Sequence, residues 1–219
     1  MSKMIFKVIP YWYGEDNLLY DYESVSFNPG LTVLVGCNGS GKSTLLKQID
    51  VQCTEKGIVT VKFDNLHDGG SSARSHAGYF GDFDFLAASI QSSEGENINM
   101  NLGNAAKKLG AAVRQNPDTA KIVVLLDAID SGLSIDGVVE FKQFLVNFIC
   151  NDLKKRGVDL YIISAANSYE LARNEACVNV DTGKHVKIAS YDEYRNLIIE
   201  SRKHKEARYK SDDTLEWLV

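Results

Sequence analysis

The 219-residue chain has the length of one domain of ordinary size, or of one domain with a small lobe attached. Hydrophobic residues make up 44% and charged residues 24%, which is the composition of a globular protein rather than of a disordered or fibrous chain. The formal net charge of −5 argues against a protein whose whole surface binds nucleic acid, although it leaves room for a local basic patch.

The four cysteines are widely separated and form no CxxC pair, which speaks against a zinc site and against a disulfide framework. The N-terminus lacks the long apolar core and the cleavage site of a signal peptide. No apolar stretch approaches the roughly 20 residues that a membrane helix needs. The sequence therefore predicts a cytoplasmic protein without membrane insertion.

Two short aliphatic strands are predicted near the N-terminus, at Met4–Ile9 and at Leu31–Val35, and the turn signal FNPG precedes the second. A helix is predicted over Ser43–Val51. The next segment, Gly57–Phe63, alternates between polar and apolar residues and is rich in β-branched side chains, so it predicts another strand.

The segment Asp64–Glu96 is rich in Gly, Ser, Asp and Asn, which predicts loops around one short helix at Phe85–Ile90. Its aromatic residues can contribute to an apolar core, so the segment is not predicted to be a low-complexity linker. Helical spacing of apolar residues then predicts a helix over Ile98–Gln115, which the turn sequence NPDT ends.

The second half of the chain alternates between strands and helices. Continuous aliphatic runs predict buried strands at Lys121–Leu126 and Val158–Ser164. A broad apolar stripe predicts a helix over Ile135–Arg156, and the tail Tyr191–Tyr209 is predicted to be helical. This alternation is typical of an α/β fold with a mainly parallel central sheet flanked by helices, here with a small antiparallel or loop-rich lobe.

The sequence GCNGSGKST at residues 36–44 satisfies the pattern G-x-x-x-x-G-K-[ST] and lies between a predicted strand and a predicted helix. Its glycines allow successive backbone N–H groups to curve around a phosphate, and the following helix N-terminus favours negative charge. The alternative is a glycine-rich turn without a ligand. The residues predicted to bind the phosphates of a nucleotide are Gly36, Cys37, Asn38, Gly39, Ser40, Gly41, Lys42, Ser43 and Thr44.

A magnesium site is predicted beside this loop. Lys42 would reach the β- and γ-phosphates, and the hydroxyl of Ser43 would ligate Mg²⁺. The aliphatic strand at 121–126 ends in Asp127, which places a carboxylate where nucleotide-hydrolysing enzymes present one to the metal.

Four peptides occur in an order that resembles the ATP-binding cassette (ABC) superfamily, and especially its soluble branch of SMC-like and RecF-like proteins. They are NGSGKSTLL, SSEGE, LLDAIDSGLS and LYIISAANS. The resemblance implies a P-loop NTPase that binds ATP and Mg²⁺, with residues 1–219 forming one nucleotide-binding domain. The signature lobe would span about 64–115 and a basic helix about 191–210, without a coiled-coil insertion.

The resemblance also implies a homodimer in which the signature peptide of one subunit closes over the nucleotide bound to the other. Ser93 and Gly95 of SSEGE would then contact the γ-phosphate across the dimer. By itself, SSEGE is more typical of a helix-capping loop. Its place among the other three peptides favours the signature interpretation.

The sequence departs from the family pattern at two catalytic positions. Ala128 stands where the family carries the glutamate that polarises the attacking water, and Ala165 stands where it carries a histidine. Loss of a general base typically costs about 10²- to 10⁴-fold in rate, so we predict slow hydrolysis. Asp130 and Asn167 are candidate catalytic replacements, or they cap turns.

The family's glutamine loop is not evident. The peptide GYFGDFDF lies about where this loop is expected, with Asp82 or Asp84 as polar replacements. In the peptide PYWYG, Tyr13 is a candidate to stack on the adenine base, although burial in the core is the more usual role of such aromatics. The four histidines show no metal-ligand spacing.

The basic residues of the C-terminal tail are suited either to nucleic-acid phosphates or to a solvated, partner-facing helix. They are Arg202, Lys203, Lys205, Arg208 and Lys210. The leading hypothesis is a slow ATPase whose ATP-bound homodimer acts as a switch, in DNA processing or defence. The alternative is a hydrolysis-deficient ATP-binding module that recruits a partner protein, and a small-molecule kinase is less favoured because no acceptor pocket is recognisable.

Overall fold

The computed structural model describes residues 3–10, 18–64, 107, 109–116, 118–131 and 133–210. The helix predicted at Phe85–Ile90 and the candidate glutamine-loop residues Asp82 and Asp84 lie outside these ranges. Of the helix predicted at Ile98–Gln115, residues 107 and 109–115 are described and are helical.

Eight strands form two sheets in the described part of the chain. They are β1 (Met4–Lys7), β2 (Ser24–Phe27), β3 (Gly30–Val35), β4 (Val59–Asp64), β5 (Lys121–Asp127), β6 (Asp159–Ala165), β7 (Ala176–Asn179) and β8 (His185–Lys187). Strands β1 and β2 pair in an antiparallel manner. The other six follow the order β4-β5-β6-β3-β7-β8, and all neighbours are parallel except β7 and β8. The α/β prediction with a mainly parallel sheet is confirmed.

The helices follow the strands as the alternation predicted. They are α1 (Lys42–Glu55), α2 (Ile135–Gln143), α3 (Asn151–Lys155), α4 (Tyr169–Ala172) and α5 (Tyr191–Lys210). The single helix predicted from 135 to 156 is found as α2, a π-helical segment at Phe144–Cys150 and α3. An apolar stripe predicts helical character but not the hydrogen-bonding register, because α and π turns carry a short stripe almost equally well.

Strand β5 shows how the sheet is buried on both faces. Ile122, Val124 and Leu126 pack into one apolar cluster, together with residues of α2, α3 and α4. Val123 and Leu125 point to the opposite face and pack with α1, β1 and β2. None of these five side chains is more than 6% exposed, so the aliphatic run needs no polar alternation.

The carboxyl edge of the parallel sheet brings four chain segments together. In the strand register Asp64 lies opposite Asp127, Asp127 lies opposite Ala165, and Ala165 lies opposite Leu34. The loop that begins at Gly36 leaves the sheet directly beside this row. Crevices outside the carboxyl ends of parallel strands are where α/β folds bind ligands.

Candidate functional site

The loop between β3 and α1 requires glycine at specific positions. Gly39 and Gly41 have φ values of 78° and 98°, in the left-handed region that favours glycine. A Cβ atom on Gly41 would lie 2.8 Å from the hydroxyl oxygen of Tyr20. That hydroxyl donates a hydrogen bond of 2.6 Å to the Gly41 carbonyl. The buried Tyr20 therefore packs against the loop and bonds to its backbone. The sequence pattern does not reveal this contact.

Lys42 is held inside the loop. Its side-chain ammonium donates hydrogen bonds to the carbonyls of Gly36 and Cys37, at 2.7 Å and 3.0 Å, and the residue is 8% exposed. Burial lowers the pKa of Lys42, and the neighbouring Cys37, Asp130 and Asp127 oppose this shift. A desolvated cation of this kind interacts strongly with an anion that enters the loop.

Ser43 and Asp127 meet as the magnesium prediction requires. The Ser43 hydroxyl donates to Asp127 Oδ1 at 3.0 Å, so both oxygens can contact one small cation. Burial raises the pKa of Asp127, while the Ser43 hydrogen bond opposes the rise. Among the described residues no group of three or more His, Cys, Asp or Glu side chains is placed to hold a metal ion.

Asp130 and Asn167, the two candidate catalytic replacements, contact each other through the backbone of Asn167. The Asn167 backbone N–H donates to Asp130 Oδ2 at 2.7 Å, and the Asn167 carbonyl accepts from the Tyr194 hydroxyl at 2.6 Å. This arrangement joins the segment after β5 to the segment after β6. It supports the turn-capping alternative for Asp130, while Asn167 itself reaches the cleft.

These parts line one cleft of about 310 Å³. Its lining residues are Leu19, Asn38, Gly39, Gly41, Lys42, Ser43, Thr44, Asp127, Ala128, Ala165 and Asn167. Gly36, Cys37 and Ser40 lie behind this surface, where Cys37 and Ser40 are buried. Tyr13, Ser93 and Gly95 lie outside the described residues, so their predicted contacts with base and γ-phosphate stay predictions.

Asp64 is a further carboxylate beside the cleft, and the sequence did not point to it. Asp64 ends β4 and stands opposite Asp127 in the strand register, and its negative charge contributes to the raised pKa of Asp127. In the sequence, Asp64 directly follows the alternating segment that was predicted as a strand. Only the sheet order shows that this strand neighbours β5. A second carboxylate thus lies beside the predicted magnesium ligand.

The fold and this cleft define a phosphate-loop protein of the kind that binds nucleoside triphosphates. Residues 23–138, more than half of the chain, match the family model described as ABC transporter. The chain belongs to this family and carries its ATPase domain. No curated protein sequence matches it.

One similar solved structure is a nucleotide-free ATP-binding cassette from an ABC transporter. It shares 18% identity, with 95% of this chain and 99% of that chain covered and a TM-score of 0.49. Within the part of the chain that the structure describes, no helix has both the length and the apolar character to span a membrane.

Proposed function

We propose that the chain binds ATP with Mg²⁺ in this cleft, hydrolyses the ATP slowly, and uses the bound nucleotide to join two copies of itself. The observation that carries the proposal is the Ser43–Asp127 contact of 3.0 Å, which lies in the same cleft as the buried ammonium of Lys42. A hydroxyl, a carboxylate and a lysine in this arrangement match the groups that bind a magnesium-bearing triphosphate.

Each group has a distinct role in this proposal. Lys42 and the loop N–H groups bind the β- and γ-phosphates, while Ser43 and Asp127 hold the metal. The metal, when bound, neutralises charge that develops on the phosphate oxygens. Preorganised donors and charges of this kind stabilise phosphoryl transfer even where no general base is present.

Slow hydrolysis follows from the methyl groups at two positions of the cleft wall. Ala128 and Ala165 both line the cleft, and neither can accept a proton or orient a water molecule. Asp130, the nearest replacement in sequence, already accepts the Asn167 N–H. Asp64 is the candidate that we propose to orient water, because it ends the strand that pairs with β5 and stands opposite Asp127 in the register.

Replacing Asp64 tests this assignment. We expect Asp64→Asn to lower the hydrolysis rate at saturating ATP by at least about tenfold, because an amide is a poor proton acceptor. Its affinity for ATP should change little, since the lysine and the loop are intact. Phosphate release and equilibrium dialysis measure the two quantities.

The matched control for this experiment is Asp50→Asn. Asp50 is a carboxylate on α1 that pairs with Lys62 at 2.7 Å on the surface. Its loss should leave hydrolysis unchanged. Equal rates for Asp64→Asn and Asp50→Asn would exclude Asp64 from the reaction.

The dimer in this proposal rests on the resemblance of SSEGE to the family's signature peptide. The cleft described above is built from one copy, and Ser93 with Gly95 of the second copy would close it over the γ-phosphate. Each nucleotide would then be buried between two chains. The ATP-bound form should consequently be a dimer and the ATP-free form a monomer.

Light scattering tests the dimer directly. We expect the molar mass to double when ATP and Mg²⁺ are added, because the nucleotide supplies part of the interface. Lys42→Ala should stay monomeric under the same conditions. A parent chain that remains monomeric at saturating ATP would contradict the shared-site proposal.

A second candidate function is a hydrolysis-deficient ATP-binding module that recruits a partner protein. The two alanines of the cleft wall favour it, because both expected catalytic side chains are absent. A role in DNA processing or defence stays a prediction from the SMC- and RecF-like resemblance. The basic tail adds little support for binding of DNA, because two of its cationic side chains, Lys205 and Arg208, bond to other parts of the protein.

A further inference from the structure

We infer that helix α5 holds the cleft in its nucleotide-binding shape, and that Lys205 on this helix is a positioning residue for the phosphate loop. The inference rests on the proposed binding of ATP in the cleft. It goes beyond that function because it assigns a task to the C-terminal helix, which supplies no residue to the cleft wall.

One face of α5 carries four polar side chains that contact the rest of the site. They are Tyr194, Ser201, Lys205 and Arg208. Their spacings of seven, four and three residues place them in one row along the helix. A helix that contacts a binding site at four successive points can hold the parts of that site relative to one another.

Three of these side chains donate to backbone carbonyls of residues that line the cleft. Tyr194 donates to the carbonyl of Asn167 at 2.6 Å, Lys205 donates to that of Asn38 at 3.0 Å, and Arg208 donates to that of Leu19. The three carbonyls belong to three separate segments of the chain. Helix α5 thus bonds to the segment before β2, to the phosphate loop and to the segment after β6.

The contact of Lys205 has a direct consequence for phosphate binding. The described peptide bonds include no cis peptide, and in a trans peptide the C=O and N–H groups point in opposite directions. Fixing the Asn38 carbonyl on Lys205 therefore fixes the Gly39 N–H on the side away from the lysine. Gly39 lines the cleft, and its N–H belongs to the row of amides expected to surround a phosphate.

Close packing reinforces this contact. A Cβ atom on Gly39 would lie 2.5 Å from the ammonium nitrogen of Lys205, so the lysine lies directly against the loop backbone. The glycine, with a φ of 78°, is needed for this approach as well as for the turn. The absence of a side chain at Gly39 thus leaves room for the ammonium of Lys205.

Ser201 fixes the start of the loop by a different contact. Its buried hydroxyl oxygen accepts the Cys37 backbone N–H at 2.8 Å. Lys42 donates to the carbonyl of the same residue at 3.0 Å. Cys37 is thereby held from both sides, and its N–H is directed at the helix rather than at a ligand.

The helix is anchored independently of these loop contacts. At its first half, Tyr194, Leu197 and Ile198 pack against the apolar core. Towards its end, Arg208 pairs at 2.7 Å with Asp181, whose side chain is 2% exposed. Since both ends are held elsewhere, removing the Lys205 ammonium should alter the loop without detaching the helix.

The test compares three variants of the full chain. Lys205→Met removes the ammonium and keeps the length of the side chain, Lys205→Arg keeps a charged donor, and Lys203→Met removes the same charge from an exposed position of the same helix. Lys203 pairs with the neighbouring Glu200 at 2.7 Å, and both side chains are exposed to solvent. Titration with Mg–ATP and with inorganic tripolyphosphate gives the dissociation constants, and thermal unfolding without ligand gives the stability.

We expect Lys205→Met to weaken binding of both ligands by about three- to tenfold, which is the usual net contribution of one hydrogen bond. Lys205→Arg should restore most of the affinity, and Lys203→Met should bind like the parent. The unfolding temperature without ligand should be the same for both methionine variants. A purely structural role would instead lower the unfolding temperature of Lys205→Met.

Two results would overturn the inference. One is equal affinity of Lys205→Met and Lys203→Met for both ligands. The other is an affinity loss of Lys205→Met that Lys205→Arg does not relieve. Failure of the proposed function has a different outcome, because the parent and Lys203→Met would then bind neither ligand.

Discussion

Lys42→Ala should weaken ATP binding by at least about hundredfold. The ammonium of Lys42 is the buried cation of the phosphate loop, and each hydrogen bond to a charged group contributes about 1.5–3 kcal/mol. Loss of the contacts to two phosphates therefore corresponds to two or more powers of ten in the dissociation constant. Equilibrium dialysis against ATP and Mg²⁺ measures this change.

The control for this prediction is a lysine of similar type outside the cleft. Lys62 pairs with Asp50 on the surface, and Lys62→Ala should bind ATP like the parent. Unfolding curves of both variants must be compared, because Lys42→Ala also leaves the Gly36 and Cys37 carbonyls without their lysine donor. ATP held by a folded Lys42→Ala as tightly as by the parent would contradict nucleotide binding at this loop.

Ala128→Glu should accelerate ATP hydrolysis by about 10²- to 10⁴-fold, the usual contribution of a positioned general base. Ala128 lines the cleft next to Asp127, so a carboxylate added there can reach water beside the γ-phosphate. Its backbone N–H donates to the Ala165 carbonyl at 3.1 Å, which holds the position in place. Phosphate release under saturating ATP measures the rate.

The backbone at this position is unusual but does not exclude the substitution. Ala128 has a φ of 50°, a conformation that disfavours any residue with a Cβ atom. Alanine already bears this cost, so glutamate adds little further backbone strain. The substitution should therefore leave the fold intact.

Ala128→Gln is the matched control, because it has the size of glutamate without a proton acceptor. We expect it to hydrolyse ATP no faster than the parent. A parent with measurable turnover supports the slow ATPase, whereas an inactive parent with an active Ala128→Glu supports the hydrolysis-deficient module. If Ala128→Glu and Ala128→Gln behave alike, the missing glutamate does not limit the rate.

The sheet contains both strands that follow from the local sequence and strands that do not. Continuous aliphatic runs predicted β5 and β6, because short runs rich in β-branched residues are typical of strands buried on both faces. Three strands were not predicted: β2, β7 and β8, each three or four residues long. Such short strands depend on pairing with a neighbour, and a local pattern cannot indicate that pairing.

The residues of the site likewise divide into those that the sequence predicted and those that it did not. The phosphate loop, Lys42, Ser43 and Asp127 were predicted because their chemistry requires fixed residue types at fixed spacing along one segment. Asp64, Ser201 and Lys205 were not assigned to the site, because they reach it from other segments through the sheet order and the packing of α5. No short stretch of sequence contains that information.

By itself, then, the sequence determined the α/β class, the glycine loop and the identity of the residues suited to phosphate and metal, since each follows from local pattern and side-chain chemistry. Only the tertiary structure decided that Asp64 lies beside Asp127 and that two side chains of α5, 164 and 167 residues after the loop residues they contact, bond to the loop backbone. Contacts between distant segments form because buried apolar faces bring strands and helices together. Their partners are fixed by that packing rather than by their neighbours in sequence.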